Sequence, residues 1–188
     1  RLAQGAEPGR RRAYLLLTMT LLARLHRLDP RPFAESPAAL GAADGRAPLR
    51  AMLDRWQAQI AALSGSAALG RDGALEGLWG WFRAGAETVP PGRPAVIHLD
   101  FHQNNILLRE DGSPVVIDWT GLDVADPRVD LAWTLVLSYG GGPALQAAML
   151  AEYERASGAA VEGLAYFSAL AAARRVWSVC AALTLGAG

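Results

Sequence analysis

Apolar residues recur at intervals of three and four along much of the chain, which is the period of an amphipathic helix. Near the N-terminus the pattern runs through Leu15, Met19, Leu22 and Leu25. It stops at Asp29-Pro30, because proline cannot continue a helix. Similar patterns predict five further helices, over residues 49–63, 75–82, 129–137, 143–154 and 161–185.

Strand-like sequence is confined to one region, where two short aliphatic runs flank Asp111-Gly112. An Asp-Gly pair favours a two-residue type I′ turn, in which both central residues have positive φ. With that turn Ile106 faces Ile117, and Asn105 lies directly opposite Asp118. Because directly opposite Cβ atoms are about 5 Å apart, the Asn105 amide and the Asp118 carboxylate are predicted to converge.

These patterns favour a mainly α domain with a small β hairpin, an α+β fold, and the composition favours a single domain. The 188 residues are 52% hydrophobic, which is enough for one sizeable core. The 18 basic and 18 acidic residues balance, so no nucleic-acid partner is expected. No membrane partner is expected either, because Arg174 and Arg175 interrupt the apolar C-terminal run. The single Cys180 excludes a disulfide framework and fits a cytoplasmic location.

A partly desolvated Asn105–Asp118 pair would be costly without a compensating cation. Oxygen ligands without a thiolate favour Mg²⁺, which completes its shell with water and substrate phosphate. The alternative is that Asn105 caps the hairpin and Asp118 starts the next turn. The position of Asp100 favours a metal site over this capping alternative, because Asp100 precedes Asn105 in the pattern H-x-D-x-x-x-x-N. That pattern, followed by a hairpin and Ile-Asp, is the order of a kinase catalytic loop and its metal-binding aspartate.

These motifs resemble the aminoglycoside phosphotransferase and choline kinase-like family of small-molecule kinases, which have a protein-kinase-like fold. Leu99 stands where the family usually has glycine, and Thr120 stands where an acidic residue is common. Four segments carry the resemblance: HLDFHQNNIL at 98–107, VIDW at 116–119, DPRVDLA at 126–132 and LARLHRL at 22–28.

The resemblance implies an ATP-dependent phosphotransferase that acts on a hydroxyl group of a small molecule, with Mg²⁺ and ATP as cofactors. Asp100 would orient the acceptor hydroxyl toward the γ-phosphate, while Asn105 and Asp118 would hold the metal. The residues expected to brace the catalytic loop are His98, His102 and Asp130.

Three aspartates near the following helix have simpler interpretations. Asp130 precedes an apolar helical run and is a candidate N-cap. The resemblance implies that it also reaches back to backbone amides of the catalytic loop. Asp123 and Asp126 are predicted to be turn residues.

The resemblance further implies that the chain is the C-terminal lobe of the kinase-like fold, with the N-terminal β lobe absent. Residues 1–12 would be a remnant of the inter-lobe linker. Residues 13–188 would be the helical lobe, carrying the catalytic loop at 98–105 and the metal-binding segment at 115–119. All 18 basic residues are arginine, so no lysine is present to contact nucleotide phosphates and no nucleotide-binding residue is identifiable beyond the metal ligands. The partners expected are a small hydroxyl substrate and the missing lobe.

Two other functions stay open. The chain would be an inactive scaffold if it lacks the nucleotide-binding half. A metal-dependent hydrolase would use His98, Asp100, His102 and Asp118, because H-x-D-x-H resembles a run of transition-metal ligands. That function would leave Asn105 without a role. The identity of the acceptor and any link to antibiotic resistance are not predicted.

Overall fold

The computed structural model describes residues 8–34, 46–63 and 74–185, and within them the chain forms six α-helices and two small sheets. Each predicted helix is present, which confirms the mainly helical α+β class. α1 already begins within the range assigned to the linker, and α3 continues beyond its predicted end at residue 82. The helices are α1 (Pro8–Leu25), α2 (Ala47–Leu63), α3 (Ala74–Thr88), α4 (Pro127–Leu137), α5 (Gly142–Ser157) and α6 (Leu164–Leu185).

The start of α4 differs from the prediction that Asp126 is a turn residue and Asp130 a helix cap. Asp126 is the N-cap, because its Oδ1 accepts a hydrogen bond from the Arg128 amide at 3.0 Å. Pro127 follows at the first helical position, where its missing N–H costs nothing. Asp130 therefore lies one turn inside the helix, and its carboxylate is available for other contacts.

The strands form two antiparallel pairs rather than one hairpin. β1 (Ala95–Ile97) pairs with β4 (Asp123–Ala125), and β2 (Ile106–Leu108) pairs with β3 (Pro114–Val116). β4 was not predicted, because three residues are too few to show the alternation that marks a strand. Asp123, predicted to lie in a turn, belongs to β4 and forms an ion pair with Arg55 of α2.

The predicted register of the β2–β3 hairpin is wrong by one residue. Ile106 pairs with Val116, not with Ile117. The carbonyl of Asn105 accepts a hydrogen bond from the Ile117 amide at 2.9 Å. Asn105 is therefore not paired with Asp118 across the strands.

The cause of the shift is the turn. The Arg109 amide donates to the Ser113 carbonyl at 2.9 Å, and the Gly112 amide donates to the Arg109 carbonyl at 2.9 Å. The loop thus contains Glu110, Asp111 and Gly112, of which only Gly112 has positive φ, at 79°. This is the three-residue hairpin loop in which a type I turn is followed by a left-handed glycine.

β1 and α4 lie between two hydrophobic clusters. One cluster includes residues of α2, α3 and α6, and the other includes residues of α1 and α5. Alternation along β1 places Val96 in the second cluster and Ile97 in the first. α4 likewise contributes Trp133 to the first and Leu131 to the second. The point where the chain leaves β1 is thus fixed from both sides.

In the described parts of the chain, no helix combines the length and the apolar character needed to cross a bilayer.

Candidate active site

The predicted catalytic loop leaves β1 with an unusual backbone conformation. Leu99 has φ of 60°, in the left-handed region that glycine usually occupies and that costs other residues about 1–2 kcal/mol. The Leu99 side chain is only 6% exposed and packs into the cluster that contains α2, α3 and α6. Its burial offsets the backbone cost. Leucine at this position thus keeps a conformation that glycine would allow.

Side chains of α4 hold the loop backbone. The carboxylate of Asp130 accepts hydrogen bonds from the His98 amide at 2.7 Å and the Leu99 amide at 3.0 Å. The Thr134 hydroxyl donates to the Phe101 carbonyl at 2.9 Å. Asp130 is fully buried, and a buried carboxylate is tolerable only with such partners.

Asp130 also joins the loop to α1 and α5. Its Oδ2 lies 3.4 Å from Nε2 of His26, and the other ring nitrogen of His26 lies 2.8 Å from the Tyr153 hydroxyl. Burial, together with the charge of Asp130, raises the pKa of that hydroxyl, so Tyr153 stays protonated. Because the Asp130 carboxylate can only accept, a neutral His26 carries its proton on Nε2 and accepts from the Tyr153 hydroxyl at Nδ1.

Arg174 of α6 holds the other side of the loop. Its Nη1 donates to the Leu99 carbonyl at 2.9 Å. The guanidinium carbon lies 4.2 Å from the ring centre of Trp133 and 5.0 Å from that of Trp56, so the cation is stacked between aromatic faces. Burial lowers the pKa of Arg174, while Asp130 and Asp100 oppose this shift. Sequence reasoning missed this residue, whose one signal was a charge inside an apolar helix.

Asp100 presents its carboxylate at the surface, with 41% of the side chain exposed. The amide nitrogen of Asn105 donates both to the Asp100 carbonyl, at 3.0 Å, and to its Oδ2, at 3.1 Å. Nε2 of His102 lies 3.4 Å from the same Oδ2. Because Nδ1 of His102 accepts from the Asn104 amide at 3.2 Å, a neutral His102 carries its proton on Nε2, facing the carboxylate.

His98 connects the catalytic loop to residues 117–121, which we call the Asp118 segment. Its ring is fully buried, and Nε2 lies 3.0 Å from the Ile117 carbonyl, to which it must donate. The ring also packs against Trp119, with ring centres 4.7 Å apart. Within the described residues Nδ1 of His98 has no hydrogen-bond partner. The residue just before Asp118 is thus tied to the loop that contains Asp100.

The Asp118 segment, residues 117–121, is exposed and is held mainly by local contacts. Asp118 has φ of 63° and ψ of 62°, and its Oδ1 accepts from the Thr120 hydroxyl at 2.8 Å. The indole nitrogen of Trp119 donates to the Val116 carbonyl at 3.0 Å. A Cβ atom at Gly121 would lie 2.6 Å from the His98 carbonyl oxygen, so only glycine allows this close approach to the loop.

The donor atoms present suit Mg²⁺ better than a transition metal. Asn105 uses its NH₂ group for Asp100, which leaves Oδ1 as the atom for a cation, and Asp118 supplies an exposed carboxylate. Magnesium needs few protein ligands, because it retains water and takes phosphate oxygens. In the described residues no three His, Cys, Asp or Glu side chains form a group able to hold a metal. The four ligands named for the hydrolase alternative, His98, Asp100, His102 and Asp118, do not form such a group.

The chain is similar to two solved structures of phosphotransferases. One is a candidate aminoglycoside phosphotransferase from Ralstonia eutropha JMP134, with 16% identity and a TM-score of 0.68 over 94% of this chain and 57% of that one. The other is the macrolide 2′-phosphotransferase MphH from Brachybacterium faecium, with 20% identity and a TM-score of 0.58 over 93% and 57%. At these identities the likeness shows a shared fold. This chain spans less than two thirds of either structure's length.

The sequence provides the assignment to a family. A sequence model of the phosphotransferase enzyme family, APH, matches residues 2–170, which include the catalytic loop, the Asp118 segment and α4. The predicted family is thus confirmed, and the chain belongs to the phosphotransferase enzyme family.

Proposed function

We propose that the protein transfers the γ-phosphoryl group of ATP to a hydroxyl group of a small molecule. Membership of the phosphotransferase family supports the reaction class. The observation that carries the finer assignment is the placement of Asp100, whose exposed carboxylate follows a backbone fixed by buried hydrogen bonds. Such a carboxylate is prearranged to receive a substrate hydroxyl.

Asp100 would accept a hydrogen bond from the acceptor hydroxyl and hold its oxygen in line with the phosphorus atom. Positioning provides most of the catalysis in phosphoryl transfer, because the transition state is loose and the nucleophile needs little activation. The hydroxyl proton passes to the Asp100 carboxylate as the bond between the acceptor oxygen and the γ-phosphorus forms, while the bond from the γ-phosphorus to the bridging oxygen breaks and ADP leaves. The Asn105 amide, by donating to Asp100 Oδ2, fixes the carboxylate and leaves its other oxygen for the substrate.

Asn105 and Asp118 would hold Mg²⁺, which neutralises charge on the nucleotide phosphates when bound. The hairpin register removes the cross-strand pairing first expected for these two residues. Support for a shared site comes instead from the backbone bond between Asn105 and Ile117, and from the His98 contact with the Ile117 carbonyl. Both place the residue before Asp118 beside the catalytic loop.

The proposal also includes a nucleotide-binding β lobe, for which the described helices would form the C-terminal partner of a protein-kinase-like fold. Every basic residue of this chain is arginine, so the lysine that such kinases use on the α- and β-phosphates would come from that lobe. The names of the two similar structures suggest aminoglycosides and macrolides as acceptor classes to test.

The test compares the full-length protein with its Asp100→Asn variant, using γ-labelled ATP and a panel of hydroxyl compounds. Loss of the orienting carboxylate is expected to lower kcat by about 10²–10⁴-fold for any accepted compound. Asp111→Asn is the matched control, because this exposed hairpin residue undergoes the same change of charge. Full activity of Asp100→Asn would refute the assigned role, and absence of transfer by the unaltered protein would favour the inactive scaffold.

A further inference from the structure

A cavity of about 200 Å³ opens between α2, α3 and α6, beside Arg174. Its wall is formed almost entirely by carbon atoms of aromatic and aliphatic side chains. A pocket of this kind favours apolar ligands, because such a ligand gains by leaving water and loses no hydrogen bonds. The main apolar lining residues are Trp56, Ile60, Trp79, Phe82, Leu170 and Trp177.

Arg174 connects this cavity to the catalytic loop. It lines the cavity, and its Nη1 donates to the carbonyl of Leu99, the residue immediately before Asp100. The same guanidinium stacks on Trp56, which also lines the cavity. A molecule in the cavity would therefore contact a side chain that is hydrogen-bonded to the residue before Asp100.

We propose that this cavity, which we call the acceptor cavity, binds the apolar part of the alcohol that the enzyme phosphorylates. The proposal rests on the phosphotransfer function proposed above. Because the volume is below the roughly 300–1,000 Å³ of pockets that enclose a whole ligand, the acceptor cavity would take one ring or a short hydrocarbon chain. The hydroxyl group would extend from it toward Asp100.

The polar groups of the acceptor cavity refine the chemistry of the ligand. Among its described lining residues the only charged side chain is Arg174, and no carboxylate is present. The charges of Asp130 and Asp100 act on Arg174, and the described cavity lining has no carboxylate to pair with a polycationic acceptor, so a neutral alcohol is favoured. Trp177 adds a buried indole N–H that has no acceptor within the described part of the chain. An ether, carbonyl or hydroxyl oxygen of the ligand would satisfy it.

The first test measures binding without ATP. The full-length protein is titrated with linear primary alcohols from 1-butanol to 1-octanol, and the fluorescence of the cavity tryptophans reports occupancy. The dissociation constant is expected to fall about three- to fourfold with each added methylene until the acceptor cavity is full. A dissociation constant independent of chain length would overturn the proposal.

Two neighbouring alanines of α6 provide a matched pair of variants. Ala173 lines the acceptor cavity, whereas Ala172 is exposed outside it. Ala173→Phe should fill the cavity and weaken alcohol binding at least tenfold, whereas Ala172→Phe should leave binding unchanged. Leu78→Glu, at a partly exposed lining position, adds a carboxylate without burying it and should also weaken binding. Equal binding by Ala173→Phe and Ala172→Phe would refute the site.

A second readout separates this inference from the phosphotransfer proposal. For an accepted alcohol, Ala173→Phe is expected to raise KM at least tenfold while changing kcat less than threefold. An unchanged KM would overturn the acceptor role of the cavity while phosphotransfer stands. If the alcohols bind with the expected chain-length dependence but the unaltered protein phosphorylates no compound, the failure lies with the proposed function, and the acceptor role falls with it.

Discussion

The catalytic loop and the Asp118 segment lie side by side but are held by different means. Asp130 and Arg174, which fix the loop, are distant in the chain and mostly buried. The Asp118 segment is exposed, and apart from the contacts of Ile117 with His98 and Asn105 its hydrogen bonds come from residues within three positions. The half of the site proposed to orient the acceptor is thus attached to the core. The half assigned to the metal is a local turn attached to it.

The largest effect on stability is expected for Asp130→Ala. This change leaves the buried amides of His98 and Leu99 without acceptors. We expect the free energy of unfolding to fall by about 3–5 kcal/mol, measured by denaturant titration. Asp130→Asn is the control, because it keeps one acceptor oxygen and should lose less. Equal stability of Asp130→Ala and the unaltered protein would show that the core does not hold the loop.

A smaller effect on stability is expected at Leu99, where the sign of the difference between the glycine and alanine variants is informative. Both Leu99→Ala and Leu99→Gly lose the buried side chain, at a cost of about 2–5 kcal/mol. Only glycine relieves the left-handed backbone, so Leu99→Gly should be more stable than Leu99→Ala by about 0.5–1 kcal/mol. At positions without a left-handed backbone, a glycine variant is usually less stable than the alanine variant, because glycine makes the unfolded chain more flexible. Finding Leu99→Ala the more stable of the two would argue against a left-handed Leu99.

The smallest effect on stability is expected for Asp118→Ala. Its carboxylate is exposed, and the one hydrogen bond it accepts comes from the hydroxyl of Thr120. The free energy of unfolding should change by no more than about 0.5 kcal/mol. In the full-length protein, however, the Mg²⁺ concentration for half-maximal activity should rise at least tenfold, which a magnesium titration measures. Thr120→Ala serves as the comparison, because it removes the hydroxyl and keeps the carboxylate.

Local patterns predicted the helices, because each one buries a stripe that recurs along the sequence. They did not fix the hairpin register. Asp111-Gly112 suits a two-residue turn, but Glu110 and Asp111 also fit a type I turn followed by left-handed Gly112. Only the three-residue loop leaves Asn105 facing Ile117. A one-residue difference in loop length thus changed the predicted geometry of the two proposed metal ligands.

The contacts that support the loop were harder to predict, because they join distant parts of the chain. Arg174 and Leu99 are 75 positions apart, and no periodic pattern links a helix arginine to one carbonyl group. The contacts of Asp126 were also hard to predict, since they depend on the Arg128 side chain folding back onto the Asp126 carboxylate. Arg128 donates to the Asp126 carboxylate at 2.6 Å and also bonds the carbonyls of Pro90 and Glu162.

Gly121 determines how closely the two halves of the site approach each other. Gly121 approaches the His98 carbonyl so closely that even the methyl group of an alanine would push the two segments apart. The proposed phosphoryl transfer would depend on the distance between the acceptor oxygen and the phosphate, so a side chain at residue 121 would change that distance without touching any reacting group. The absence of a side chain at residue 121 thus sets the distance between the two halves of the candidate active site.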